Sequence, residues 1–346
     1  MTPMKHDTHQ PILGTLLGTA VGDSIGLPFE GMSRRRVAAL GEVRHQLVFG
    51  RGMFSDDTEH TLMLASAWIE NRHDIQAFQA AFGRKLRWWL LALPAGVGLS
   101  TAKAILRLWL GFPSTRSGVR SAGNGAAMRS AIIGVLHRHD ETARRELTLA
   151  ACRVTHTDMR AEESALWVAE AAAMASNDIA TSDVLTRLET LIISDEMRSR
   201  FSSLQAALKD KKTVPEYAEL IGCGRGVTGF APNTIAVATY AWLRHRGQFE
   251  TQVREVIACG GDTDTVAAIL GGISGAEVGE AGIPRVWLDG ICDWPRSADY
   301  IRGMAEALTH EKAKAPKLCW QALPLRNLFF LLVVIVHGFR RLLLPR

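Results

Sequence analysis

The chain of 346 residues is predicted to be all-α: one compact helical domain over residues 11–310, then an apolar helical tail. Three observations carry this expectation. Apolar residues recur at i, i+3, i+4 spacing in segment after segment. Several of those segments are rich in Ala, which favours helix and close helix packing. No run of alternating β-branched residues is long enough to seed a sheet, and no repeat or Pro/Ser linker divides the chain.

In chain order, residues 11–22 (PILGTLLGTAVG) have the apolar look of a signal-peptide core. They contain two threonines and run straight into Asp23, Ser24 and then Glu30, so they predict a buried first helix. Helices follow over 60–71, 75–93 before Pro94, 101–110 before Gly111, and 126–137. Further helices are predicted over 162–175, 184–193, 234–246 before Gly247, 253–258 and 265–273. Glycine clusters stand directly before acidic and hydroxyl residues at 22–23, 52–58, 123–125 and 260–265, and these junctions are expected to open helices.

Residues 311–346 read differently. Lys312, Lys314 and Lys317 form a basic spacer, and residues 328–336 (LFFLLVVIV) are nine apolar residues in a row between Arg326 and Arg340-Arg341. That run is shorter than the ~20 residues a spanning helix needs. By itself it also lacks the polar face of an interfacial helix. The tail is therefore expected to be an appendage, covered through residues 323–344 by a peripheral membrane contact or by a partner, with packing on the body less favoured. Deleting residues 318–346 is expected to leave turnover of small substrates nearly unchanged.

Composition bounds the function. With 47% hydrophobic and 22% charged residues, the chain is that of a folded globular protein. The net charge of +5 is mild, and the dense basic runs Arg34-Arg35-Arg36 and Lys211-Lys212 form no stripe, so there is no specific nucleic-acid signal. Five cysteines without a C-x-x-C pair fit neither a disulfide framework nor a zinc site, and point to a reducing, cytoplasmic setting.

The candidate chemistry lies in two acidic motifs. Ser55-Asp56-Asp57-Thr58 and Asp262-Thr263-Asp264-Thr265 each open a predicted helix, and each alone is explained by capping and the helix dipole. Together, roughly 200 residues apart, they hold four Asp and several hydroxyls, more acid than capping requires. If the fold joins them, the carboxylates repel one another unless cations neutralise them. An all-oxygen donor set suits a hard divalent ion, Mg²⁺ or Mn²⁺, and can hold two ions about 3.5–4 Å apart.

With residues 18–30 (GTAVGDSIGLPFE), 55–58 (SDDT), 123–129 (GNGAAMR), 155–157 (THT) and 260–265 (GGDTDT) in this order, the chain resembles the ADP-ribosylglycohydrolase family over most of residues 11–310. The resemblance implies two Mg²⁺ or Mn²⁺ ions held by Ser55, Asp56, Asp57, Asp262, Asp264 and Thr265. It implies Glu30, on a mobile segment near the scissile bond, together with Asp56 and Asp57, as catalytic candidates. It places Gly123, Asn124 and Gly125 in the ADP-ribose pocket near the diphosphate, and His156 in contact with the ligand. Ser55 stands where the family usually has Thr, and Asp158-Met159 follows Thr157 where a proline is common.

The implied activity is metal-dependent removal of ADP-ribose, by cleavage at C1″, from a modified protein or a small ADP-ribosyl substrate. The alternative is an ADP-ribose-binding or immunity protein that occludes an ADP-ribosyltransferase.

Overall fold

A computed structural model describes residues 8–342. Its helices in chain order are α1 (His9–Gly26), α2 (Arg34–Leu40), α3 (Asp56–Glu70), α4 (Ile75–Leu91), α5 (Leu99–Trp109) and α6 (Ala131–Leu136). Next come α7 (Glu141–Arg153), α8 (Met159–Ala175), α9 (Thr181–Glu189), α10 (Asp195–Lys209), α11 (Val214–Leu220) and α12 (Ala231–Arg244). The series closes with α13 (Phe249–Ala258), α14 (Thr263–Val278), α15 (Arg285–Gly290), α16 (Ala298–Thr309) and α17 (Leu323–Leu342). Among the described residues the only sheet is an antiparallel pair, β1 (Met32–Ser33) with β2 (Gly260–Gly261). The all-α expectation holds.

The core is organised around α1 and α14. Both are apolar on every side, as a helix surrounded by others must be, and α1 is buried from Ile12 to Gly26. Glycines at 14, 18 and 22 make one stripe along α1. A Cβ on Gly18 would stand 2.1 Å from the carbonyl oxygen of Gly271, and one on Gly22 would stand 2.0 Å from that of Ala267. The two backbones therefore touch directly. This contact sets the C-terminal end of α1 beside the N-terminal end of α14, where the second acidic motif lies. The signal-peptide-like run is thus the central core helix.

Several boundaries differ from expectation. Gly22-Asp23 opens no helix; it sits inside α1, with Asp23 fully buried. The segment 126–137 is broken: residues 127–129 form a 3-10 turn that carries buried Arg129 back to the Gly125 carbonyl before α6 begins. Helices α2, α7, α10, α11, α15 and α16 fall outside the predicted segments, although α7, α10 and α16 each open on a capping side chain, Asp140, Ser194 and Ser297. Helix α11 carries a full capping box, Thr213 with Glu216.

The tail requires the largest correction. The nine-residue apolar run is the middle of a helix of 20 residues, α17, and that helix does have a polar face. Arg326, Asn327, Phe330, Val333, Val334, His337 and Arg341 fall within about 120° of one another at 100° per residue, and this side packs on the body. Arg326 donates to the Phe54 carbonyl at 2.6 Å and pairs with buried Asp293. Asn327 donates to the Ala92 carbonyl at 2.7 Å. Phe330 is buried with Leu27, Leu47 and Met53. The tail is docked through this face, while Leu325, Leu328, Leu332, Ile335, Val336 and Phe339 face outward. Residues 343–346 of the expected tail lie outside the described residues.

Candidate active site

The first acidic motif is positioned from beneath by Asp23. Its carboxylate accepts the Ser55 N–H at 2.9 Å, the Thr58 N–H at 3.1 Å and the Thr58 hydroxyl at 2.7 Å. Burial raises the Asp23 carboxyl to about 6, against these hydrogen bonds, which favour its charged form. Ser55 caps α3, accepting the Asp57 N–H. Capping is therefore part of what Ser55 does, and Ser in place of Thr retains it.

The second motif is no ordinary cap. Asp262 precedes α14 without bonding a helix N–H through its side chain; its Oδ2 instead accepts from Asn124 Nδ2 at 2.7 Å. The backbone leading into it requires glycine. Gly260 and Gly261 lie at φ +70° and +86°, and a Cβ on Gly261 would stand 2.0 Å from the Val227 carbonyl oxygen.

The fold brings the two motifs together. Asp57 Oδ2 accepts the hydroxyl of Ser55 at 3.0 Å and that of Thr265 at 3.3 Å, across 208 residues of chain. Asp57 Oδ1 and Asp264 Oδ1 are buried without a hydrogen-bond partner. Burial comes first, and neighbouring carboxylates second, in holding Asp56, Asp57 and Asp264 well above the usual carboxylate range. Among the described residues no three acids, histidines or cysteines close around one point as a ready-made ion cage. Asp56, Asp262 and Asp264 instead line a common cavity.

That cavity, about 310 Å³, is lined by Glu30, Ser55, Asp56, Gly123, Asn124, Gly125, His156, Asp262, Asp264 and Thr265. Every expected site residue except Asp57 faces it, and Asp57 lies directly behind. Leu27, Thr101, Met128, Phe330 and Val334 also line it. Phe330 and Val334 belong to α17, so the tail closes one side of the site.

Glu30 lies on a tethered segment. Gly31 N–H donates to the Gly261 carbonyl at 2.7 Å, and Met32 pairs with Gly261 through β1 and β2. From the other side His337 Nε2 meets the Pro28 carbonyl at 2.9 Å, and Arg341 donates to the Glu30 carbonyl at 2.7 Å. Burial and Asp262 raise the Glu30 carboxyl, while Arg341 pulls it down.

Gly123-Asn124-Gly125 is a turn, packed against His156. A Cβ on Gly125 would come within 3.0 Å of His156 Cε1. His156 Nδ1 pairs with the Thr155 hydroxyl at 2.8 Å, and burial with the nearby Arg129 lowers the ring to about 3, so it is neutral near pH 7. Arg129, itself buried and lowered to about 10, ties Gly125 to Thr155, accepted there at 2.6 Å. Asp158, which follows the Thr-His motif, caps α8 and pairs with Arg160.

Sequence reasoning assigned no role to Asp23 or Arg129. Both carry a readable signal: a lone charge in an otherwise apolar, small-residue run.

Comparisons with known proteins identify the family. A family model for ADP-ribosylglycohydrolase matches residues 4–317. An uncharacterized protein of Archaeoglobus fulgidus is 34% identical over 291 residues, covering 80% of this chain and 90% of that protein. The ADP-ribosyl-[dinitrogen reductase] glycohydrolase of Rhodospirillum rubrum is 24% identical over 292 residues, covering 81% and 90%. A solved structure, an ADP-ribosylglycohydrolase-related protein complex, superposes with a TM-score of 0.68 at 26% identity, over 88% of this chain and 98% of that one. The helical fold and these matches define an all-α glycohydrolase. The chain belongs to the ADP-ribosylglycohydrolase family. Its activity is removal of ADP-ribose from an acceptor. Helix α17 lies beyond the residues that the family model matches.

The Gly125 geometry yields a prediction. Gly125→Val pushes on His156 and blocks close backbone approach to a diphosphate, so ADP-ribose affinity falls about tenfold or more while divalent-cation affinity changes little. Calorimetric titration of each ligand checks this; equal loss of both would indicate misfolding instead.

Proposed function

We propose that the protein hydrolyses the bond between C1″ of ADP-ribose and its acceptor, on a modified protein side chain or a small ADP-ribosyl compound, with two Mg²⁺ or Mn²⁺ ions. One observation carries the reading: motifs 208 residues apart meet at Asp57, beside two buried carboxylate oxygens that have no partner. Buried carboxylate oxygens without a partner are costly to charge unless a cation meets them. The donors are carboxylates and hydroxyls only, which suits hard ions. Ser55, Asp56, Asp57, Asp262, Asp264 and Thr265 would hold them. When bound, such ions orient the ribose hydroxyls and make water acidic enough to attack near neutral pH.

The chain's own residues do the rest. The Gly123–Gly125 turn lets backbone approach the diphosphate, and neutral His156 braces that turn. Asn124 fixes Asp262 by its side-chain amide. As the bond from C1″ to the acceptor breaks, positive charge develops at C1″. The oxygen of water bonds to C1″, its proton passes to a carboxylate, and the acceptor atom leaves with a proton. Of the three candidates Glu30, Asp56 and Asp57, the first two face the cavity, while Asp57 has one oxygen committed to two hydroxyls. Glu30, whose carboxyl is raised by burial and Asp262, suits the proton donor to the leaving atom. Five free cysteines fit a cytoplasmic protein.

Incubation with a mixed ADP-ribosylated proteome tests the reading and identifies the acceptor. One acceptor class should lose its modification, chelator should stop the loss, and Mg²⁺ or Mn²⁺ should restore it. Modification that persists at every metal concentration would overturn hydrolysis and favour an occluding ADP-ribose binder.

A further inference from the structure

Helix α17 is inverted relative to an ordinary surface helix. Its hydrogen-bonding side chains point at the body, and its solvent face is apolar throughout: Leu325, Leu328, Leu332, Ile335, Val336 and Phe339 are all exposed, by 46–67%. Only 28% of its most apolar window is buried, against 100% for α1. The face continues onto the neighbouring loops. Phe49 and Leu93, each at a positive φ, are exposed at two loop tips, and the adjoining Val48 and Ala95 pack beside Phe330, Val333 and Val334. An unbroken apolar face of this kind marks an interaction site.

Its charge surroundings select the occupant. From Lys312 to Arg346 the sequence holds seven Lys or Arg and no Asp or Glu. Lys312, Lys314 and Lys317 are exposed before the helix, and Arg340 is exposed at its end. The chain on both sides of the face is therefore basic. A two-fold pairing of α17 with a second copy sets cation against cation, whether the helices run parallel or antiparallel. An anionic lipid surface neutralises both ends and accepts the apolar face between them. Spanning is excluded by the inner face, where Arg326 and Asn327 are committed to buried partners on the body.

We propose that α17 lies in the plane of an anionic membrane surface, with Leu328, Leu332 and Ile335 buried among the acyl chains and Lys317 and Arg340 at the headgroups. Because Phe330 and Val334 on the inner side line the cavity, the site then opens close to the lipid surface. The proposal stands independently of the metal and acceptor assignments.

Co-sedimentation of the full chain with vesicles tests it, using phosphatidylcholine mixed with phosphatidylglycerol against phosphatidylcholine alone. Binding should be at least about tenfold tighter to the anionic vesicles, as each basic residue near such a surface adds about 1 kcal/mol. The variant Leu332→Asp/Ile335→Asp should lose about tenfold or more of that binding while keeping its melting temperature and its hydrolysis of soluble ADP-ribosyl substrates. A wild-type protein that stays in the supernatant with anionic vesicles overturns the proposal, as does equal binding to both vesicle types. A lipid-free dimer in analytical ultracentrifugation that the double variant dissolves would assign the face to a second copy instead.

Discussion

Asp264→Ala and Asp57→Ala each reduce hydrolysis of ADP-ribosyl substrates by at least two orders of magnitude, and leave the metal-free protein as stable as the parent or more so. Both effects come from the same geometry. Asp57 and Asp264 are buried and crowded by other carboxylates, and each has one oxygen with no partner. Without a cation, removing one carboxylate relieves repulsion and desolvation. With a cation, the same change deletes an oxygen donor from a site whose affinity depends on donor charge and number. Release of free ADP-ribose, paired with calorimetric melting in chelator and in Mg²⁺, separates the two effects. The parent should be stabilised by the ion, and the variants should lose most of that gain. Full activity in either variant, or parent turnover in excess chelator, defeats the metal assignment.

The parts of this site that sequence reveals are those carried by local chemistry. Ser55 and Asp262 announce themselves because hydroxyls and acids at helix starts are visible as patterns, and Gly260-Gly261 because tight backbone turns need glycine. Asp23 was not assigned because its role is tertiary: it accepts backbone N–H groups 32 and 35 residues away. Arg129 is similar, since its partners Gly125 and Thr155 meet only in the folded chain. Polar helices such as α10 carry too few apolar residues to show a period, though their caps are readable. In the tail, nine contiguous apolar residues conceal the 3.6-residue period that runs through them. Arg326 and Asn327 before the run, and His337 and Arg341 after it, share one face only when the helix is drawn through all of them.

That face makes Arg326→Ala the most damaging single change expected outside the acidic motifs. Arg326 is 4% exposed. It pairs with Asp293, donates to the Phe54 carbonyl, and lies 3.7 Å from Glu59, which Arg296 also holds. Two buried arginines thus balance two buried acids beneath the residue that precedes Ser55. Burial alone would push the Asp293 carboxyl up; Arg326 opposes that. Removing one partner of such a set strands a buried charge, at a cost of about 3–5 kcal/mol. The same change frees α17, which removes Phe330 and Val334 from the cavity wall and two of the ties on the Glu30 segment. Melting temperature should fall by several degrees, protease should cut within residues 310–342, and hydrolysis of soluble substrates should drop about tenfold or more. Phe330→Ala, which leaves the ion pairs intact, should lower turnover with a smaller loss of stability, showing that the wall itself matters. An Arg326→Ala protein with parental melting, protease resistance and turnover would return the tail to the status of an appendage.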